Sequence, residues 1–499
     1  MMHFLLYVRL GIVMLGCQAS ICLAYSFPAS LPVPAPSPSI VSQSLRELLD
    51  TTSIQSTKAF ERLGLQTGAG VRAFYTHQAL QPVWTTDKGW SVPATKALRV
   101  LAAASAYGLR PQEYGWARLQ ALTDTLGRTP AETQPQLLAA YELTLTDALL
   151  RYALHLRHGR LQAATLLPQV YDTVATLQAA QHLKTALLAS DFALTFLRFQ
   201  PDGQAYQRLL AAWHTKLKLL APDSTVVLDE ARQTEFKSVA INLERCRWYT
   251  KATPDTAFLL VNIPAYRLDV MGQGRVLRSH RVVVGKPALP TPQFDARLYF
   301  FTTAPEWRVP PSIAVQEILP QLRRDPGYLY RHQYHIYNKL GQSMNPYRIK
   351  WKTITAENFP YTIRQMPGPD NSLGNVSYYM PNEHTVYLHD TPARKLFAQN
   401  QRAFSHGCVR VEQSVELAAF LLRRSGAPER AKRLEQAAAQ SWTQRINLPR
   451  SWPVQVRYFT CEAGANGQLR HYPDVYGLDA PLLAAFFAEV PVAAQVTPR

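Results

Sequence analysis

The apolar pattern of this chain changes period once, and that change dictates a molecule of two structural kinds. In "ELTLTDALLRYALHLRHGRL", Leu145, Leu149, Tyr152 and Leu156 recur at helical spacing, with Thr146 and Asp147 placed near the helix start and Gly159 at its stop. "ATKALRVLAAASAYGLRP" repeats the pattern and ends at Gly108 and Pro111. From "TAFLLVNIPAYRLDVMGQGRVLRSHRVVVGKP" onward, short β-branched runs alternate with Gly and Pro, which is how strands and hairpins read. Two successive periods predict an α+β multidomain protein, and 499 residues exceed what a single hydrophobic core holds.

The first residues, "MMHFLLYVRLGIVMLGCQASICLAYSFPAS", join Arg9 to an apolar run from Leu10 to Leu23 and small residues near Ala24. This reads as a secretory signal peptide over 1–24, since the run falls short of the ~20 apolar residues that span a bilayer. An uncleaved anchor and lipidation at Cys17 are the alternatives, and they are the only membrane attachments expected. Residues 25–43 form a Pro- and Ser-rich linker, 44–240 a helical scaffold domain, 241–440 a β-rich domain, and 441–499 a C-terminal extension packed on it. A Tyr- and Pro-rich excursion at about 323–366 is long enough to be a lid over a site. Lys and Arg outnumber Asp and Glu by 53 to 35, which favours anionic neighbours without specifying one, and no nucleic-acid partner is expected. Export to the periplasm or cell envelope changes the meaning of the cysteines. Beyond the signal peptide stand Cys246, Cys408 and Cys461, an odd number that leaves at least one thiol free. A Cys246–Cys461 disulfide is allowed in an oxidising compartment, and Cys408 is the natural free thiol.

Cys408 lies in "AFSHGCVR". A cysteine attacks as its thiolate, and a neighbouring imidazole that takes the proton favours a thiolate–imidazolium pair. His406 is two residues upstream; His389 closes "VYLHD", nineteen residues upstream. Residues two apart in a tight loop tend to point apart, so His389 is the better base, oriented by the Asp390 carbonyl or the Asp390 side chain. Gly407 permits a turn that converges its own amide and that of Cys408 on one oxygen. Zinc ligation by His384, His389, His406 and Cys408 lacks the compact spacing such sites use, so no metal is expected. On these letters alone, an inert buried cysteine competes with a nucleophile.

"SHGCVRV" preceded by "YLHDTP" resembles the active-site signature of the L,D-transpeptidases of the YkuD fold, which cross-link peptidoglycan. The likeness extends through "NLERCRW", "WRVPPSIAVQEILPQLRRDPGYL", "RQMPGPDNSLGNVSYYMPNEHTVYLHDTP" and "VRYFTCEAGANGQLRHYPDVYGLD", from about Asn242 to Asp479, to the large periplasmic branch typified by the YcbB protein. The resemblance implies a helical scaffold domain followed by a YkuD-type catalytic domain with a capping insertion. It implies Cys408 as nucleophile, His389 as base, and His406, Gly407 and Arg410 shaping the oxyanion hole and donor site. Trp307 and Tyr387, with Ser405 and Asp390, would line the substrate site. The implied reaction is acyl transfer between tetrapeptide stems with release of D-Ala, forming 3-3 cross-links without a cofactor; carbapenem-type inhibitors are implied ligands. An L,D-carboxypeptidase using the same thioester and a non-catalytic wall scaffold are the rival readings. Two departures stand out. The segment before "NLERCRW" is too short for the small peptidoglycan-binding domain usual in this branch, and Cys246 occupies a position commonly held by Trp.

Overall fold

The structure, a computed structural model, describes residues 40–488 apart from 51–57, 59–60, 87–88, 127–133, 221–229, 250–256 and 465. The expected signal peptide, and the linker up to residue 39, lie outside the described residues. Among the described residues no helix is long and apolar enough to cross a membrane.

The N-terminal half is helical and is organised around Pro135–His158, a 24-residue helix buried on almost every side. It begins eleven residues before Thr146, so the polar pair read as a helix start sits in its middle. The reason is local. The buried Asp147 carboxylate accepts the backbone N–H groups of Gln66 and Thr67 at 2.8 and 2.7 Å, stitching a turn of another segment to the helix. Buried polar groups are tolerated when their hydrogen bonds are made, and here they mimic a cap inside a helix. Gly159 does end the helix, at φ +86°, and a Cβ there would lie 2.6 Å from Glu244 Oε1 of helix Glu230–Arg247.

The C-terminal half has fourteen strands among the described residues: β1 (Phe258–Asn262), β2 (Arg267–Gly272), β3 (Arg275–Gly285), β4 (Phe294–Thr303), β5 (Trp307–Arg308), β6 (Tyr334–Tyr337), β7 (Thr362–Gln365), β8 (Val376–Tyr379), β9 (Leu388–His389), β10 (Ala403–Ser405), β11 (Val409–Val411), β12 (Gln444–Arg457), β13 (Cys461–Ala463) and β14 (Leu469–His471). Nine form one sheet in the order β10-β3-β11-β9-β8-β4-β12-β1-β2, and a further β2–β3 pairing rolls it toward a barrel. One face packs Leu388, Val409, Val411, Tyr378 and Phe301 against helices Ser414–Arg424 and Pro428–Ala439. Ser414 does not cap the first of these, as its hydroxyl donates to Tyr378 Oη and Gln413 occupies the cap position at φ +51°. Gly426, at φ +79°, ends it.

Two segments are more integrated than the sequence conveys. β12 runs between β4 and β1 inside the sheet, and helix Asp479–Phe486 buries Leu482 and Phe486 in the helical half's core, so residues 441–488 tie the halves together. The excursion after β4 forms its own small layer, the sheet β5-β7-β6, over a core of Val309, Leu322, Ile336, Trp351 and Ile363. That core begins ahead of residue 323, because the helical run 311–324 supplies one wall of it.

Cys246, Cys408 and Cys461 are all free. The Cys461 thiol hydrogen-bonds Ser238, which precedes Cys246 by eight residues on the same helix, about 12 Å along its axis. The disulfide allowed by the sequence is absent. Burial pushes both thiols up to about 12, as expected for inert packing residues.

Candidate active site

β9 and β11 lie parallel, with Leu388 opposite Val409 and His389 opposite Arg410. The register continues to Tyr387 opposite Cys408, where the Val409 N–H donates to the Tyr387 carbonyl at 3.1 Å. Opposed residues share a face and successive residues alternate. Tyr387, His389, Cys408 and Arg410 therefore project from one face, while Leu388 and Val409 point into the core and are fully buried. Residues nineteen apart in sequence come to one face because two adjacent strand ends carry them.

The loop presenting Cys408 is tied down from three sides. Ser405 Oγ donates to the Cys408 carbonyl at 2.5 Å and accepts the Gly407 N–H at 3.2 Å. Thr291 Oγ1 donates to the Gly407 carbonyl at 2.8 Å. Gly407 sits at φ +111°, a conformation that side chains other than glycine's rarely adopt. The Gly407 amide, expected to serve an oxyanion, is held by Ser405 in this arrangement.

His389 is 5 % exposed, and its Nδ1 meets the Asp390 carbonyl at 2.5 Å. A carbonyl only accepts, so Nδ1 carries the hydrogen and Nε2 is the bare base. Of the two orienting groups the sequence left open, the backbone carbonyl holds the imidazole. The Asp390 carboxylate turns elsewhere and accepts the Asn375 N–H at 2.8 Å. It occupies space left by Gly374, where a Cβ would approach within 2.6 Å. Gly374 in "SLGN" was not singled out from the sequence, although its φ of +59° and this close approach both require glycine.

Burial, and then the Arg410 charge, push His389 down to about 3, against the pull of the Asp390 carbonyl. Burial likewise pushes the Cys408 thiol up, while hydrogen bonds from the Tyr387 backbone and hydroxyl and the Arg410 charge act in the opposite direction. The resting site thus holds a neutral thiol beside a neutral imidazole, not the expected ion pair, because desolvation disfavours both charges. The Tyr387 hydroxyl is in turn hydrogen-bonded by Trp307 of the cap. His406 faces away: its Nε2 meets Glu317 Oε1 of the cap at 2.5 Å, so it joins cap to loop rather than serving the thiol. Arg410 is the least satisfied member. Its Nε is buried without a hydrogen-bond partner, and among the described residues no carboxylate pairs with it. Glu317 and Thr291 were also missed by sequence reasoning, since neither lies near the motif in the chain. No group of three His, Cys, Asp or Glu side chains suited to a metal occurs among the described residues.

Comparison with known proteins bears on what such a site belongs to. Residues 69–212 match a scaffold domain and residues 256–432 an L,D-transpeptidase catalytic domain. A Haemophilus influenzae protein named provisionally as an L,D-transpeptidase is 30% identical over 409 residues, 81% of this chain and 77% of that one. An L,D-transpeptidase from Mycobacterium smegmatis aligns over 40% of this chain and 59% of its own at 15% identity, with a TM-score of 0.17. The catalytic-domain match encloses every residue of the site just described, and the similarity to the Haemophilus influenzae protein spans both halves: the chain belongs to the L,D-transpeptidase family, with a YkuD-type catalytic domain and a scaffold domain.

Proposed function

We propose that the protein is an exported peptidoglycan L,D-transpeptidase that forms 3-3 cross-links through a thioester on Cys408. The observation that carries this reading is the shared face of Cys408, Tyr387, His389 and Arg410, with the imidazole fixed as the tautomer whose Nε2 is a base. The donor is a tetrapeptide stem. As the Cys408 sulfur bonds to the carbonyl carbon before the terminal D-Ala, its proton passes to His389 Nε2. Moving the proton during attack avoids forming a buried thiolate beforehand. The Arg410 guanidinium, buried beside Cys408 with Nε unengaged, offsets the negative charge that develops on the carbonyl oxygen. The C–N bond then breaks and His389 returns the proton to the departing amine of D-Ala.

In the second half, the side-chain amine of a neighbouring stem's diamino acid attacks the thioester, His389 takes a proton from it, and the Cys408 sulfur leaves and is reprotonated. The periplasm or cell envelope is the place of action this substrate implies. Incubation with a purified tetrapeptide muropeptide tests the reading. Wild-type protein should gain the mass of a tripeptide stem with its sugars on Cys408 and produce dimers, and Cys408→Ala should do neither. Dimers formed at an undiminished rate by Cys408→Ala would sink the mechanism, and tripeptide monomers alone would make the enzyme a carboxypeptidase.

A further inference from the structure

The C-terminal stretch "HYPDVYGLD" carries a side chain that reaches the catalytic loop through one intermediary. We propose that Tyr476 is a positioning residue for acyl transfer, acting through Thr291 to aim the Cys408 N–H at the oxygen of the reacting carbonyl. The proposal deepens the transpeptidase reading above and rests on it for the natural substrate. Its contacts are continuous. The Tyr476 hydroxyl donates to the Gly285 carbonyl at 2.8 Å and accepts the Thr291 N–H at 3.1 Å. Thr291 Oγ1 accepts the Gly285 N–H at 2.9 Å and donates to the Gly407 carbonyl at 2.8 Å. Gly285 ends β3, and a Cβ there would lie 2.7 Å from the Thr291 nitrogen. The chain therefore turns back closely enough for one phenol to hold both sides of the turn, and Thr291 is buried inside it.

The peptide plane converts this hold into a direction. The Gly407 carbonyl and the Cys408 N–H belong to one trans peptide and point opposite ways. Fixing the carbonyl on Thr291 therefore fixes the line along which the Cys408 N–H points. The Gly407 N–H is taken by Ser405, so the Cys408 amide is the donor that this turn keeps for an oxyanion. Such a donor works through its placement before the reaction, and a rotation of the plane weakens it. Thr291 does not set the plane alone, because its own backbone is located by Tyr476.

Tyr476 is in turn held by both halves of the protein. Its N–H donates to Tyr458 Oη at 2.7 Å, and the two rings lie 5.5 Å apart, 28° from parallel. Tyr458 Oη donates to Asp474 Oδ1 at 2.6 Å. The Asp474 carboxylate also accepts the N–H groups of Leu478 and Asp479 at 2.9 and 2.8 Å. Asp479 opens the last helix and pairs at 2.6 Å with Arg245 of helix Glu230–Arg247, whose guanidinium lies 5.2 Å from the Tyr458 ring centroid. Residues 474–479 thus form a strap, pinned to the helical half at one end and to the turn that holds Gly407 at the other.

Acylation of Cys408 by p-nitrophenyl acetate tests this whatever the natural donor is. The Cys408 sulfur bonds to the acetyl carbon, the thiol proton passes to His389, the ester C–O bond breaks and p-nitrophenolate leaves. Its absorbance and the intact mass of the protein report the rate, with Cys408→Ala as the blank. Tyr476→Phe, which keeps the ring, should slow acylation about tenfold, since deleting an oxyanion donor costs 10²- to 10³-fold and misaiming one costs less. Alkylation of Cys408 by iodoacetamide, which displaces iodide and develops no oxyanion, should stay within twofold of wild type. Thr291→Val should slow acylation at least as much, Thr291→Ser should retain the wild-type rate, and Thr291→Val combined with Tyr476→Phe should be no slower than Thr291→Val alone. An unchanged acylation rate in Tyr476→Phe, an equal loss of alkylation, losses that multiply in the double variant, or wild-type acylation no faster than the blank would overturn the proposal. Should Tyr476→Phe fail to fold, equal rates for Thr291→Val and Thr291→Ser would do the same. The muropeptide adduct on wild-type Cys408 reports separately on the transpeptidase reading, which can fail while the ester result stands.

Discussion

Buried polar groups are handled in opposite ways at Glu142 of the helical half and at Arg410 of the site. In the helical half, Glu142 is fully buried and accepts five hydrogen bonds: the N–H groups of Val83, Trp84 and Thr85, the Thr85 hydroxyl and the Tyr75 hydroxyl, all at 2.7–2.9 Å. At the catalytic face, Arg410 keeps an unpartnered Nε, and His389 is held neutral by desolvation. The first arrangement is closed, since every lone pair is answered by a neighbour that would otherwise be orphaned. The second is open, and the missing partner is what a reacting carbonyl would supply. Glu142 is satisfied and holds structure; the helical half also buries unpartnered atoms at Glu113 and Arg247, so what distinguishes Arg410 is its place beside Cys408 and His389.

The largest effects should come from breaking each side of this contrast. His389→Gln should lower dimer formation by roughly 10²- to 10⁴-fold, the range of a lost general base, without unfolding the domain. It should also change acid stability. The folded-state value of His389, about 3, lies below the ordinary ~6.5 of an unfolded chain, so its neutrality favours the fold above pH ~6.5 and this contribution is lost as pH falls toward 3. The variant's stability should therefore be flatter over that interval, as measured by urea unfolding at several pH values. Glu142→Ala should act oppositely. It strands the buried N–H groups of Trp84 and Thr85 and the half-buried one of Val83 and should destabilise the helical half by roughly 3–9 kcal/mol, at ~1–3 kcal/mol per unsatisfied group, while the remaining folded protein transfers acyl groups at the wild-type rate. A loss confined to activity would show that Glu142 had been misjudged.

Arg410→Gln sharpens the comparison with a smaller and more specific change. Its charge is the second cause of the low His389 value, after burial. Removing it should raise that value part of the way back, because burial remains. Activity needs the bare imidazole, so the acid limb of the rate profile for acyl-enzyme formation should move to higher pH. A lower rate with an unmoved acid limb would confine Arg410 to the substrate.

What was legible in the sequence follows the same division. The period change between the halves, the stop at Gly159 and the placing of Cys408 and His389 on one face could be read because each is local or carried by a compact motif. Asp147 was misplaced because a buried staple and a helix cap use the same residue type, and only the distant Gln66–Thr67 turn distinguishes them. The proton state of the site was also hidden. A histidine near a cysteine reads as an ion pair until the depth of both is known, and depth is a property of the packed sheet. Gly374 and Thr291 escaped because their roles lie across strands, in contacts with Asp390 and Gly407. β12 escaped for a related reason: a strand that enters the sheet between β4 and β1 has no neighbour of its own in sequence.

The smallest effect expected is at the seam between the cap and the catalytic loop. Glu317 and His406 meet there, both partly exposed, at 29% for the His406 side chain and 50% for the Glu317 side chain. An exposed pair contributes no more than about 1 kcal/mol, so Glu317→Gln should leave global unfolding almost unchanged. Its consequence should be local. His406 adjoins Gly407, whose amide and carbonyl are fixed by Ser405 and Thr291, so the loop stays in place while the cap loses one of its tethers. Amide exchange in 311–324 should quicken by up to about fivefold, equivalent to ~1 kcal/mol, while amides at 405–411 keep their protection. Equal acceleration in both segments would mean that the pair supports the nucleophile loop itself, and the cap would then be part of the closed, satisfied kind of structure rather than a layer resting on the open one.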